Sequence, residues 1–389
     1  MSKSKRKTKP VKPYAGFPLT PHPNGHWCKR IRGTLRYFGP WSDWKGALQK
    51  YQEQRDDLHA GRTPRLKGDG LTIAALCNRF LMAKRLLLDN GELSAQTWQD
   101  YFGVCERLGK VFGSNRLVTD LAADDFERLR TVLAKTWGPV RLGNAIQRIR
   151  SVFKFGFESG RLSVPIRYGP GFKRPSKKVL RLARAAKGVR MFEASEIQTM
   201  LAAAGLQLKT MVLLAINCGL GNTDCGGLTT AHLDLDGAWL NYPRPKSGVN
   251  RRGRLWPETI AALREVLAKR VEPKDQVHAG LVFLTHCRSP WCTVRRKEQD
   301  DGTLKITTDD SVSKETKKLL KRLDINGHRG FYALRHTFQT VADAANDRVA
   351  VDHVMGHADA SMAAVYRERI DDARLIAVAE HAHKWLFGI

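Results

Sequence analysis

Near the C-terminal end of the chain stand an arginine, a histidine and a tyrosine, Arg335, His357 and Tyr366. Together these residue types can grip and attack a phosphate. Around Arg335 the apolar residues Phe331, Leu334, Phe338, Val341 and Ala345 recur at steps of three and four, which predicts an amphipathic helix with that stripe turned inward. Tyr332, Arg335 and Gln339 form the adjoining stripe. A guanidinium beside a core face keeps its five donors in a fixed fork, a geometry suited to a phosphate. Gly356 and His357 then interrupt the helical pattern, and Asp359 or Ser361 can cap a second helix running through Met362, Val365 and Tyr366. Unbroken helix would carry the nine residues from His357 to Tyr366 through about two and a half turns and point them to opposite sides. With the break, both can face one phosphate.

These residues resemble the signature of the phage integrase family, the tyrosine recombinases. The family pattern is a histidine or a substitute, two residues, an arginine, then a Gly-His pair and, nine residues on, a nucleophilic tyrosine. Here it is Tyr332, Ala333, Leu334 and Arg335, then Gly356 and His357, then Tyr366. The resemblance implies a site-specific DNA strand transferase. Tyr366 would attack a backbone phosphate, form a 3′-phosphotyrosyl link and free a 5′ hydroxyl, which then attacks the partner strand. The covalent link conserves the phosphodiester energy, so the expectation includes no cofactor and no metal. Arg335 and His357 would brace the phosphate. Tyr332 stands where relatives often carry histidine, and because a phenol titrates far above an imidazole it suits hydrogen-bond donation better than base catalysis. The stretch AWLNYPRPKSGVNRRGRLWP predicts a β-hairpin, on which Lys246 matches the family's catalytic lysine and would protonate the departing 5′ oxygen.

One position departs from the pattern. The family ordinarily has Gly, an apolar residue and an arginine, with an acid three residues further on. Here Gly219, Leu220 and Asp224 are in place, but Gly221 holds the arginine position. Two arginines normally hold the non-bridging oxygens of the scissile phosphate, and loss of one comparable donor costs about 10²- to 10³-fold in rate. The Gly221 N–H, Asn222, Thr223, Arg251, Arg252 and Arg254 are the candidates to replace it. The same gap supports a rival expectation, a DNA-binding protein on a recombinase scaffold with weak or no cleavage; a type IB topoisomerase is a third, which the short Gly-His to Tyr spacing disfavours.

Composition points to the same partner. The 389 residues carry 66 lysines and arginines against 38 acids, a formal charge of +28, which suits a polyanion such as double-stranded DNA. No apolar run reaches membrane-spanning length, and the basic N-terminus lacks the apolar core of a signal peptide. A soluble, cytoplasmic, nucleoid-associated protein is expected. Seven cysteines scattered along the chain argue for reduced thiols, and His286, Cys287 and Cys292 lack a second pair at zinc-finger spacing.

The expected fold is mainly α with small β-sheets, in five segments. Residues 1–15 are a basic arm. A small β-rich domain over 16–60 follows, in which Trp27, Lys29 and Ile31 alternate against Cys28, Arg30 and Arg32 ahead of a helix from Asp43 to His59. It resembles, loosely, the arm-site domain of some integrases. Four amphipathic helices over 71–160, with capping residues Ser94, Thr119 and Asp120, predict a bundle; the resemblance makes it the core-binding domain. The linker 161–191 contains no acid and accumulates Lys173, Arg174, Lys177 and Lys178 among its ten lysines and arginines. These four, with Arg251 and Arg252, are the expected contacts to DNA. A mixed α/β catalytic domain fills 192–389. Its terminal helix ends in Trp385, Leu386 and Phe387, an apolar surface for its own domain or for a neighbouring protomer in a tetramer on DNA.

Overall fold

The structure, a computed structural model, describes residues 9–61, 70–299, 304–359 and 361–388. Most of the basic arm therefore lies outside the described residues. The first compact unit is built on residues 1–72 with 117–120. Strands β1 (Thr20–His22), β2 (His26–Ile31) and β3 (Thr34–Pro40) form an antiparallel sheet in that order. Helix α1 (Trp44–His59) packs on it, its first turn capped by the Asp43 carboxylate accepting from the Gly46 N–H at 2.8 Å. Phe17, Trp27, Ile31, Phe38 and Tyr51 fill the core between them. The simple alternation expected along β2 does not hold: the register slips at Trp27 and Cys28, and both turn inward. The extra residue is Phe38 on β3, left between Gly39 opposite Trp27 and Tyr37 opposite Cys28, and such a bulge breaks the period of two.

The second unit holds the helical and catalytic regions. The four helices expected over 71–160 are α2 (Ile73–Asp89), α3 (Ala95–Phe112), α4 (Ala123–Ala134) and α5 (Pro139–Glu158). Ser94 caps α3, its hydroxyl accepting from the Thr97 N–H at 3.2 Å. Thr119 and Asp120 sit instead in a 3-10 turn, and α4 opens with the Ala122 N–H donating to Asp125 at 3.0 Å. Phe126 packs edge-on against Phe112 and Phe153 and tilts against Phe172. Phe172 belongs to the linker, so the linker's first half is anchored in the helical core. Its second half is not extended chain: Ser176 caps a nine-residue helix, α6 (Lys177–Ala185), no residue of which is buried.

In the catalytic region α7 (Ala194–Ala203) leads into α8 (Leu206–Cys218), every residue of which from Thr210 to Cys218 is buried. The short α9 (Asn222–Gly226) follows, then a three-stranded sheet of β4 (Leu233–Asp234), β5 (Trp239–Asn241) and β6 (Arg252–Arg254). Asn217 ties this sheet to α8. Its amide donates to the Arg254 carbonyl at 2.8 Å, and its oxygen accepts from the Trp256 N–H at the start of α10 (Pro257–Ala268). A hairpin of β7 (Cys292–Glu298) and β8 (Leu304–Asp310) precedes α11 (Ser311–Arg322). The chain closes with α12 (Tyr332–Ala342), α13 (Arg348–Met355), α14 (Met362–Val365) and α15 (Asp372–Phe387). The apolar end of α15 docks on its own domain. Leu386 is buried in the catalytic core, Trp385 and Phe387 pack against it, and Gln198 donates to the Leu386 carbonyl. Among the described residues no helix is long and apolar enough to cross a membrane.

The β7–β8 hairpin joins the catalytic and helical regions. Leu304 and Ile306 share an apolar cluster with Leu88 and Trp98, and Arg85 pairs with Glu298 at 3.0 Å. The apolar contact dominates, since an exposed ion pair contributes little. Trp98→Ala is therefore expected to destabilise the molecule by about 3–5 kcal/mol, with amide exchange rising in α3 and in both hairpin strands together; a rise confined to α3 would refute the coupling.

Candidate active site

The site is built from two left-handed glycines and the guanidinium between them. Gly219 ends α8 at φ 64°, and a Cβ there would lie 2.9 Å from the Phe338 ring. Gly356 ends α13 at φ 64°, where a Cβ would lie 3.0 Å from Cβ of Arg244. Only glycine meets both the dihedral and the close approach without strain. Arg335, on the α12 stripe beside the inward-facing Leu334 and Phe338, is 3% exposed. Its Nη1 donates to the Gly219 carbonyl, and its Nη2 donates to the Met355 carbonyl at 2.7 Å and to Nε2 of His357 at 3.1 Å. The guanidinium plane is thereby fixed before any ligand arrives. Burial, and then the neighbouring charge of Arg244, push its pKa down, though an arginine starts high enough to stay charged at neutral pH.

His357 follows Gly356 in the turn after α13. Its Nδ1 lies 3.0 Å from Asp352, and since Nε2 accepts from Arg335, Nδ1 carries the proton and donates to the carboxylate. Asp352 thus sets the imidazole's tautomer and orientation.

A cleft of about 520 Å³ opens on Arg335. Lys246, Arg244, Tyr332, Gly221 and Thr223 also line it. Lys246 is exposed on the connection between β5 and β6, as the hairpin pattern predicts. Tyr332 is 48% exposed, and its ring stands against Gly221: a Cβ on that glycine would lie 3.3 Å from the ring edge. Tyr366 is not among the lining residues. It ends α14 at 78% exposure. Ser361 stands at the N-cap of α14 without a side-chain cap hydrogen bond, and the Asp359 carboxylate accepts from the Ser361 N–H at 2.9 Å instead of from the helix.

Most candidates for the missing arginine are otherwise engaged. The Gly221 N–H donates to Asp224 at 3.0 Å, and the Asn222 amide donates to Asp310 and Ser313. Arg252 pairs with Asp372 and lies over the Trp239 ring; Arg254 donates to the Gly237 carbonyl. Arg251 corrects the expectation most sharply. It is 3% exposed, donating to Asp224 at 3.1 Å and to the Tyr242 carbonyl at 2.7 Å. A guanidinium held beneath the site by a buried carboxylate cannot reach a duplex. Arg244, two residues before Lys246 in the hairpin alternation of Trp239, Asn241 and Arg244, also lines the cleft, a placement that only the tertiary structure assigns to it.

The buried pair yields a test. Asp224→Ala leaves the Arg251 charge uncompensated in the core and is expected to lower stability by about 3–5 kcal/mol, whereas adding Arg251→Met should recover most of the loss. Denaturant unfolding of both variants checks this; equal losses would mean that the acid acts through its N–H contact at Gly221 instead.

Comparison with known proteins extends the fold. The model of the phage integrase family matches residues 189–372. No curated protein matches the chain. Among solved structures, the integrase of the Tn1549 transposon in complex with a circular intermediate DNA matches with a TM-score of 0.56 at 14% identity, over 80% of this chain and 99% of that one. A lambda integrase tetramer bound to a Holliday junction matches with a TM-score of 0.55 at 14% identity, over 92% of this chain and 99% of that one. A lambda integrase dimer bound to a COC′ core site gives 0.55 and 14%, over 94% and 98%. These likenesses carry the architecture of small β domain, helical domain and mixed C-terminal domain. The C-terminal region, over residues 189–372, is thus similar to the phage integrase family, and the chain shares the fold of these integrases.

Proposed function

We propose that the chain is a site-specific DNA recombinase that cuts and rejoins double-stranded DNA through Tyr366. The observation that carries this is the fixed Arg335 fork, opening with Lys246 onto one cleft and braced by an oriented His357. A scissile phosphate in that cleft would meet donors already in place, so little reorganisation is needed as charge builds on its oxygens. The Tyr366 oxygen attacks phosphorus and the bond to the 5′ oxygen breaks. The departing oxygen takes a proton from Lys246, and the proton of the exposed Tyr366 phenol passes to solvent. Because Tyr366 lies outside the cleft, its segment must swing in when DNA binds, a step of the kind that sets many turnover rates.

Lys173, Arg174, Lys177 and Lys178, all exposed where the linker enters α6, contact the DNA backbone in this proposal. Four protomers assemble on two duplexes, as strand exchange between partners requires, and the reaction takes place on nucleoid DNA in the cytoplasm. A non-cutting DNA binder has less in its favour, since a binder has no use for an oriented His357 beside a fixed Arg335.

Covalent trapping tests the chemistry. Nicked duplexes taken from the DNA flanking its own gene, chosen for salt-resistant binding, are expected to give a protein–DNA band on a denaturing gel that Tyr366→Phe abolishes; specific binding with no such band would leave the non-cutting binder. For the linker, Lys177→Ala with Lys178→Ala is expected to lower the slope of log affinity against log salt by about 2, about 1 for each phosphate no longer neutralised. An unchanged slope would remove α6 from the interface.

A further inference from the structure

The gap at Gly221 leaves the question of what holds the second non-bridging oxygen, and the hairpin between β5 and β6 supplies an answer. Arg244 is half-buried beside the Gly356 turn, with its backbone N–H donating to the Val249 carbonyl at 2.8 Å and its carbonyl accepting from the N–H groups of Ser247 and Gly248. These bonds close the turn that bears Lys246. Its Nη1 reaches the Gly356 carbonyl at 3.4 Å, while Arg335 donates to the carbonyl of Met355, the preceding residue. Two guanidinium groups are thus held on consecutive carbonyls, both on the wall of one cleft. Like charges so placed repel unless an anion lies between them. Of the two carboxylates on that cleft, Asp224 is paired with Arg251, and Asp310 caps α11.

We infer that Arg244, presented by the hairpin beside Arg335 on the carbonyls of Gly356 and Met355, is the catalytic arginine that replaces the one missing at Gly221. It takes the second non-bridging oxygen of the scissile phosphate. The 3.4 Å bond to Gly356 is long enough to be exchanged for a phosphate oxygen, whereas the shorter bond from Arg335 to Met355 fixes that fork in place. The hairpin then carries both the second clamp and the general acid.

The inference rests on the strand-transfer proposal, and one experiment separates the two. The full chain is mixed with a nicked duplex from the flanks of its own gene, made with either the natural scissile phosphate or a methylphosphonate, in which a methyl group replaces one charged oxygen. On phosphate, Arg244→Ala is expected to slow formation of the Tyr366 adduct about 10²- to 10³-fold, with affinity for the intact duplex changed less than about tenfold, the scale of one phosphate contact. On methylphosphonate the variant should recover to within about tenfold of the unaltered protein, because the charge Arg244 neutralises is gone. Arg244→Lys, which keeps the charge but loses the fork, should fall between and guards against a folding defect. Adduct formation by Arg244→Ala at the unaltered rate, or a loss that methylphosphonate does not relieve, would overturn the assignment alone. An unaltered protein that forms no Tyr366 adduct would overturn the strand-transfer proposal and the assignment with it.

Discussion

A buried, carbonyl-bound guanidinium is the constraint around which the catalytic region is arranged. Arg335 has to be removed from water without losing its charge, and that is tolerable only where its donors find acceptors in the interior. Gly219 and Met355 provide them, from the ends of two different helices. Both ends depend on a left-handed glycine, Gly219 itself and Gly356, and both are packed against side chains that would collide with a Cβ. The polar fork and the apolar core are therefore one arrangement. The Phe338 that buries against Gly219 is one turn along α12 from the arginine it helps to orient.

Beneath this fork lies a second charged layer that does no direct work on a ligand. Arg251 and Asp224 neutralise each other in the interior, and Asp224 also accepts the N–H of Gly221. Removing two charges from water and pairing them is close to neutral in free energy. What the pair contributes is position: it ties α9, which carries Asp224, to the residue leading into β6 and so holds Gly221 at the cleft wall.

Much of this was legible in the amino-acid sequence because it is local. Phe331, Leu334, Phe338 and Val341 recur at helical spacing, and that period alone is enough to place Arg335 beside the core; all four are buried. The break at Gly356 and the Asp359 turn are likewise written in neighbouring residues. What was not legible depends on tertiary placement. Arg251 stands in a basic run, RRGR, and nothing in the run distinguishes the member that turns inward. The bulge at Trp27 and Cys28 breaks an alternation that looked regular. The β7–β8 hairpin had a signal, the Asp301–Gly302 dipeptide ahead of alternating Leu304 and Ile306, but its partner surface on α2 and α3 lies about two hundred residues away along the chain.

The ring of Tyr332 against Gly221 couples two positions that lie more than a hundred residues apart in the chain. With the phenol beside residue 221, a Cβ there needs that ring to shift by a few tenths of an ångström. The ring is half exposed and can give way toward the solvent, so what residue 221 can be depends on where the side chain at 332 rests.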